Sequence, residues 1–169
     1  MAYRTRDYIL KPIALGAMAG ALALSQIAPA TADPAAIKQL EGSWRGSGTV
    51  TPSRGGRERI SCRVKYGVIG TNVKQNINCA GADYKINVNG TYKVTGNNIS
   101  GSWTETKNNY NGGASGSVKG NSINMRISGV SFTGTMAIKM TGRNQNVRIT
   151  RYDAKSKKYV NLANISLRK

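Results

Sequence analysis

Beyond residue 42 the chain alternates. The segment "RERISCRVKY" sets Ile60, Cys62, Val64 and Tyr66 on one side and Arg59, Ser61, Arg63 and Lys65 on the other. "TNVKQNINC" groups Val73, Gln75, Ile77 and Cys79, and "DYKINVNGTYKV" groups Tyr84, Ile86, Val88, Tyr92 and Val94. "NSINMRIS" and "SFTGTMAIKM" add Ile123, Met125, Ile127, Phe132, Gly134, Met136, Ile138 and Met140. "QNVRITRY" and "KYVNLANISLRK" complete the series. A period of two throws successive side chains to opposite faces of an extended strand, and it does not fit the 3.6-residue repeat of a helix. The fold class predicted is therefore all-β. Gly and Asn turns break the pattern into about eight to ten short strands, which suits a single antiparallel meander closed into a barrel, with a sandwich as the alternative. Closure removes the bare edges that a long meander would leave.

The start of the chain obeys other rules. "MAYRTRDYILKP" is basic, "IALGAMAGALALSQIA" is apolar and Ala-rich, and Ala30 and Ala32 occupy small-residue positions before Asp33. This order predicts a secretory signal over 1–32, removed on export to the periplasm or exterior, with no membrane-spanning segment in the remainder. In "DPAAIKQLEG", Asp33 can cap, Pro34 fits the first helical position and Gly42 ends the turn, so 33–41 reads as an arm or short helix that packs as a lid or plug. Residues 42–169 then form the barrel domain.

Two cysteines in an exported chain predict one disulfide, Cys62–Cys79. Placing them opposite each other in a hairpin sets Val64 against Ile77 and Tyr66 against Gln75, all on the face already read as inward. The bond closes a loop of about 18 residues, worth about 3 kcal/mol on a chain-entropy account.

Chemistry is scarce in this sequence. There is no histidine to serve as the base of a hydrolytic triad. Downstream of the leader the acids are Asp33, Glu41, Glu58, Asp83, Glu105 and Asp153, mostly at expected turns, and only Glu105 shares a face with Trp103. Neither a carboxylate pair for glycoside chemistry nor a metal-ligand spacing emerges. The expectation is a non-enzyme without cofactor or metal. "GGASGSVKG" lacks the phosphate-loop spacing. The net charge of +18 draws anions. "TPSRGGRER" offers Arg54, Arg57 and Arg59 around a flexible tip, and "KSKK" offers Lys155, Lys157 and Lys158, so both are candidate anion grips. The aromatics fall on the apolar face rather than among exposed cations, which argues against sequence-specific nucleic-acid binding.

The triplet "GSW" occurs at 42–44 and again at 101–103. "LEGSWRGSG" after a short helical turn resembles the first strand of the calycin barrels, the lipocalins and avidins, and "GSWTETKNNYNGGASGSVKGNSI" is loosely similar to Trp-bearing avidin strands. The resemblance implies that Trp44 closes one end of a barrel, with Arg168 in the place of the lipocalin's closing arginine. Residues 36–79 also resemble small exported bacterial barrels that inhibit metalloproteases, which act through an N-terminal arm; "DPAAIKQ" would be that arm. On geometry, the repeated triplet reads as two strands meeting the same packing problem. The expected function is binding of a small apolar or amphiphilic ligand, or of an anionic envelope component. Trp44, Tyr84, Tyr92, Trp103, Phe132 and Met136 would line the cavity, and Gly90, Gly101 and Gly134 would leave room in it. The rival is a protein-interaction module such as a periplasmic protease inhibitor using its arm.

Overall fold

A computed structural model describes residues 34–52, 56–83, 85–130 and 132–169. Residues 1–32, read above as a leader, and Asp33, Arg54 and Tyr84 lie outside the described residues. One helical turn, α1 (Pro34–Lys38), precedes ten strands: β1 (Gly42–Val50), β2 (Glu58–Ile69), β3 (Asn72–Ala80), β4 (Lys85–Thr95), β5 (Asn98–Glu105), β6 (Tyr110–Lys119), β7 (Ser122–Gly129), β8 (Thr133–Thr141), β9 (Asn144–Asp153) and β10 (Lys158–Arg168). Each strand runs antiparallel to its sequence neighbours, and β1 meets β10 to close the barrel. The fold is the all-β meander that the alternation predicts, and the strand count falls at the upper end of the expected range.

The two ends differ. At one, four hairpins share a design: Gly70-Thr71, Gly96-Asn97, Gly120-Asn121 and Gly142-Arg143 are two-residue turns whose glycine has φ between 52° and 57°. A first turn residue at positive φ matches the twist of the paired strands and is cheap only for glycine. At the other end the connections are longer and include Asn109 and Lys157 at φ 56° and 53°. We call the first end the base and the second the mouth.

An eight-stranded barrel is about filled by its own side chains, and a ten-stranded one is wider. At the base, α1 supplies the missing volume. Ala36, Ile37 and Leu40 are buried there, and the Trp44 indole N–H donates to the Leu40 carbonyl at 2.7 Å. Between Ile37, Leu40, Tyr66, Val73, Gln75 and Tyr92 remains a void of about 30 Å³, room for a water or two. The segment is thus seated in the barrel as the expected plug, not as the free arm of the rival reading, because its apolar residues are what the wide base lacks. Closing is completed by Lys169 rather than Arg168. The Lys169 ammonium lies 5.4 Å from the Trp44 ring and 3.4 Å from the Gln39 carbonyl, while Arg168 is exposed on the outer face.

The predicted register holds in detail: Cys62 pairs with Cys79, Val64 with Ile77 and Tyr66 with Gln75. The Cys62–Cys79 disulfide joins β2 and β3 inside the barrel. One irregularity falls on β10, where a bulge between Asn161 and Ala163 shifts the facing of the last strand.

Candidate functional site

Inward-facing side chains are buried throughout the base half, whereas in the mouth half burial is mixed: Val50, Ile60, Cys62 and Cys79 are buried beside neighbours that are not. Trp44, Tyr66, Val73, Tyr92, Val94, Ile99, Val118, Ile123 and Met136 belong to the sealed part. Toward the mouth, Ile77, Ile86, Trp103, Ile127 and Ile149 pack against that core while keeping part of their surface open. Among the described residues no helix packs into this half.

The structure therefore divides the five described residues of the six expected to line one cavity. Trp44 and Tyr92 are committed to the base. The Tyr92 hydroxyl donates to Gln75 Oε1 at 3.1 Å, and Gln75 Nε2 donates to the Tyr66 hydroxyl at 3.1 Å. Burial pushes the Tyr92 phenol up to about 12. It also raises Tyr66, against the opposing hydrogen bond of Gln75. Met136 is buried mid-strand. Trp103 and Phe132 stand together in the mouth half, ring centroids 6.5 Å apart and edge to face at 87°. The Trp103 N–H donates to the Gly113 carbonyl at 3.2 Å.

The two GSW triplets accordingly do different jobs, in correction of the shared-packing reading. Gly42 opens a strand at φ 113°, and its Trp44 stops the base. Gly101 sits where a methyl would strike Tyr92, and its Trp103 faces the mouth. Nor do the inward glycines leave space. A Cβ on Gly90 or Gly101 would meet the Tyr92 side chain, and one on Gly134 would meet the Phe132 ring. Small residues here make room for large aromatic neighbours, not for a ligand.

Sequence reasoning missed the polar inward side chains of β9. The strand buries Gln145 and Val147, then turns Ile149 and Arg151 to the same face. Arg151 pairs in register with Gly134 and Val160. Its Nε is buried without a hydrogen-bond partner, and its only carboxylate neighbour among the described residues is Asp153, at 4.0 Å. The signal was available: Val147 and Ile149 fix the parity of "QNVRITRY", and Arg151 follows it.

Carboxylates near the mouth are used by the loops. The Glu105 carboxylate accepts from the backbone N–H groups of Asn87, Lys107 and Asn108 and from the Asn108 side chain, at 2.8–3.3 Å. Burial works against its charge, but those donors prevail and hold its carboxyl below the ordinary value. Glu58 Oε1 accepts from the Asp83 N–H at 2.9 Å. Asp153 accepts from the Ser156 N–H and hydroxyl, whose hydrogen bonds lower its pKa. Glu105 thus caps the β5–β6 loop. Among the described residues no three His, Cys, Asp or Glu side chains gather as a metal-binding group.

Of the expected anion grips, Arg57 is exposed and donates to the Thr49 hydroxyl at 3.2 Å, and Arg59 is exposed on the outer face of β2. Lys155, Lys157 and Lys158 are exposed around the β9–β10 tip. Both tips belong to the mouth end.

No protein-family model matches the chain, and no curated protein matches it in sequence. Among solved structures it is similar to Rv2717c from M. tuberculosis, with a TM-score of 0.67 at 13% identity, covering 84% of this chain and 98% of that one. It is also similar to a protein of unknown function of the DUF3598 family from Nostoc punctiforme, with a TM-score of 0.54 at 14% identity, covering 82% of this chain and 52% of that one. At such identities the likeness establishes the small β-barrel fold and nothing finer; it does not single out the calycins.

Proposed function

We propose that the protein is an exported, non-catalytic barrel that takes a small amphiphile into its mouth, apolar tail toward Trp103, Ile127 and Ile149 and acidic head at Arg151. The observation that carries this reading is Arg151 itself, a cation on the inward face of β9 whose Nε is buried without a hydrogen-bond partner and whose contact with Asp153 is a long 4.0 Å. An anionic head group would supply what that guanidinium lacks, because burying a charge costs free energy unless it is paired. Glu58 and Glu105 do not compete for it, since loop amides hold them. The disulfide fits an oxidising compartment, and no helix among the described residues is long and apolar enough to cross a membrane. The rival, inhibition through an N-terminal arm, loses support from the burial of Ile37 and Leu40.

Fluorescence titration tests the proposal, because only one of the two tryptophans faces the mouth. Dodecanoate should perturb the emission of Trp103, and the response should vanish in Trp103→Phe. Arg151→Met should weaken dodecanoate about tenfold, the scale of one lost charge-assisted contact, and leave dodecanol unchanged. Equal affinity of Arg151→Met and the parent for dodecanoate would overturn it.

A further inference from the structure

The cations of the outer surface are unevenly placed. On β5 every outward position from Asn98 to Thr104 is Asn, Ser or Thr. On the opposite side, β8, β9, β10, β1 and β2 lie consecutively around the barrel, and their outward residues fall into three rows set by register. The first runs Arg63–Arg45–Arg168 across β2, β1 and β10. The second runs Ser61–Ser47–Ser166–Asn146–Lys139. The third runs Arg59–Thr49–Asn164–Arg148.

The first row conflicts with stability. Neighbouring strands lie about 4.8 Å apart, and like charges directly opposite each other on paired strands are destabilising. Arg45 has a like charge on both sides, and among the described residues none of these three cations pairs with a carboxylate. A charge serving solubility alone would gain by being spread onto β5. Next to this row, Ala137, Lys139, Asn146, Arg148, Asn164 and Ser166 line a shallow groove of about 310 Å³ over β8, β9 and β10. The groove therefore offers hydroxyls and amides flanked by cations.

We infer that this face binds a linear acidic polysaccharide, its acid groups along Arg63–Arg45–Arg168 and its sugar hydroxyls on the Ser/Asn row and groove. The site uses none of the mouth residues and stands independently of the ligand proposed for the mouth. Curvature and composition favour this occupant. The first row follows the convex circumference, so a flat bilayer touches only its crest whereas a flexible chain follows it. The exposed apolar side chains (Ile69, Tyr110, Val130, Tyr152 and Tyr159) lie outside the three rows, leaving nothing here to insert into lipid. Stacking platforms for bases are likewise absent from the rows, the nearest aromatics being Tyr152 and Tyr159 beyond them at the mouth rim.

Polygalacturonate is the probe, with the disulfide-bonded chain and a matched pair of double variants. Arg45→Gln with Arg168→Gln removes two charges from the face, and Lys93→Gln with Arg126→Gln removes two from the far side. The face variant should bind polygalacturonate about tenfold more weakly, with a flatter salt dependence, while the far-side variant stays within about twofold. The face variant should also melt higher than the parent, because the opposed arginines are gone, which separates lost binding from lost folding. Equal weakening by both variants would reduce the effect to net charge and overturn the inference. So would tighter parent binding to oligothymidylate or to phosphatidylglycerol vesicles than to polygalacturonate.

Discussion

At the scale of single residues, the buried ionisable groups set the pH limits of the fold. Glu105 has its folded pKa below the ordinary value of 4.5, so the stability it contributes is intact above that value and lost as the pH falls through the folded one. Glu105→Ala should cost about 2 kcal/mol at neutral pH, most of it gone in acid, as read from urea unfolding at several pH values. Tyr92 works at the other limit. Its phenol is raised from 10.0 to about 12, so the native state keeps a proton that the unfolded chain releases. Stability should therefore decline between those two values, at up to about 1.4 kcal/mol per pH unit. Tyrosinate absorbance should rise together with loss of the fold, and Tyr92→Phe should move that transition to higher pH. Both residues were visible in the sequence, but their hydrogen-bond partners were not. Glu105 was visible as an acid on the Trp103 face, but its partners are loop amides whose positions depend on where β5 and β6 stop.

Among the elements, strands were far more legible than their ends. Cys62, Val64 and Tyr66 fixed the pairing of β2 with β3 because a slip of one residue would turn all three outward. The same parity rule was sufficient to place Arg151 inside, yet a charged residue on an inward position contradicts the usual sorting by polarity, and polarity was read first. The four glycine-led hairpins, at positions 70, 96, 120 and 142, form a sequence repeat of one turn per two strands that alternation alone does not expose. For α1 the pattern suggested a plug or an arm, and five residues of helix are too few to carry a periodicity that decides between them. The barrel's width decides it, and that depends on strand number, a global quantity. Ile37→Asp should destabilise the protein by about 3 kcal/mol, measured by denaturant unfolding, and should red-shift the emission of Trp44 more than that of Trp103.

On the scale of the molecule, one sheet has been asked to make two environments. The base is sealed by α1, Trp44 and the hydrogen-bonded set Tyr66, Gln75 and Tyr92; toward the mouth Ile77, Ile86, Trp103, Ile127 and Ile149 stay partly open. The meander means that nearly every strand contact joins sequence neighbours, with the β1–β10 seam the exception. At the basal end of that seam Lys169 touches Gln39, and Arg143 donates two hydrogen bonds to the Lys169 carbonyl oxygen. Residues far apart in the linear order are thus side by side in space, and the order itself is dispensable. A circularly permuted chain, with a short linker from Lys169 back to α1 and new termini at Gly120-Asn121, should recover the same circular dichroism and the same disulfide. It would have its slowest pairing moved from the old seam to the junction of β6 and β7.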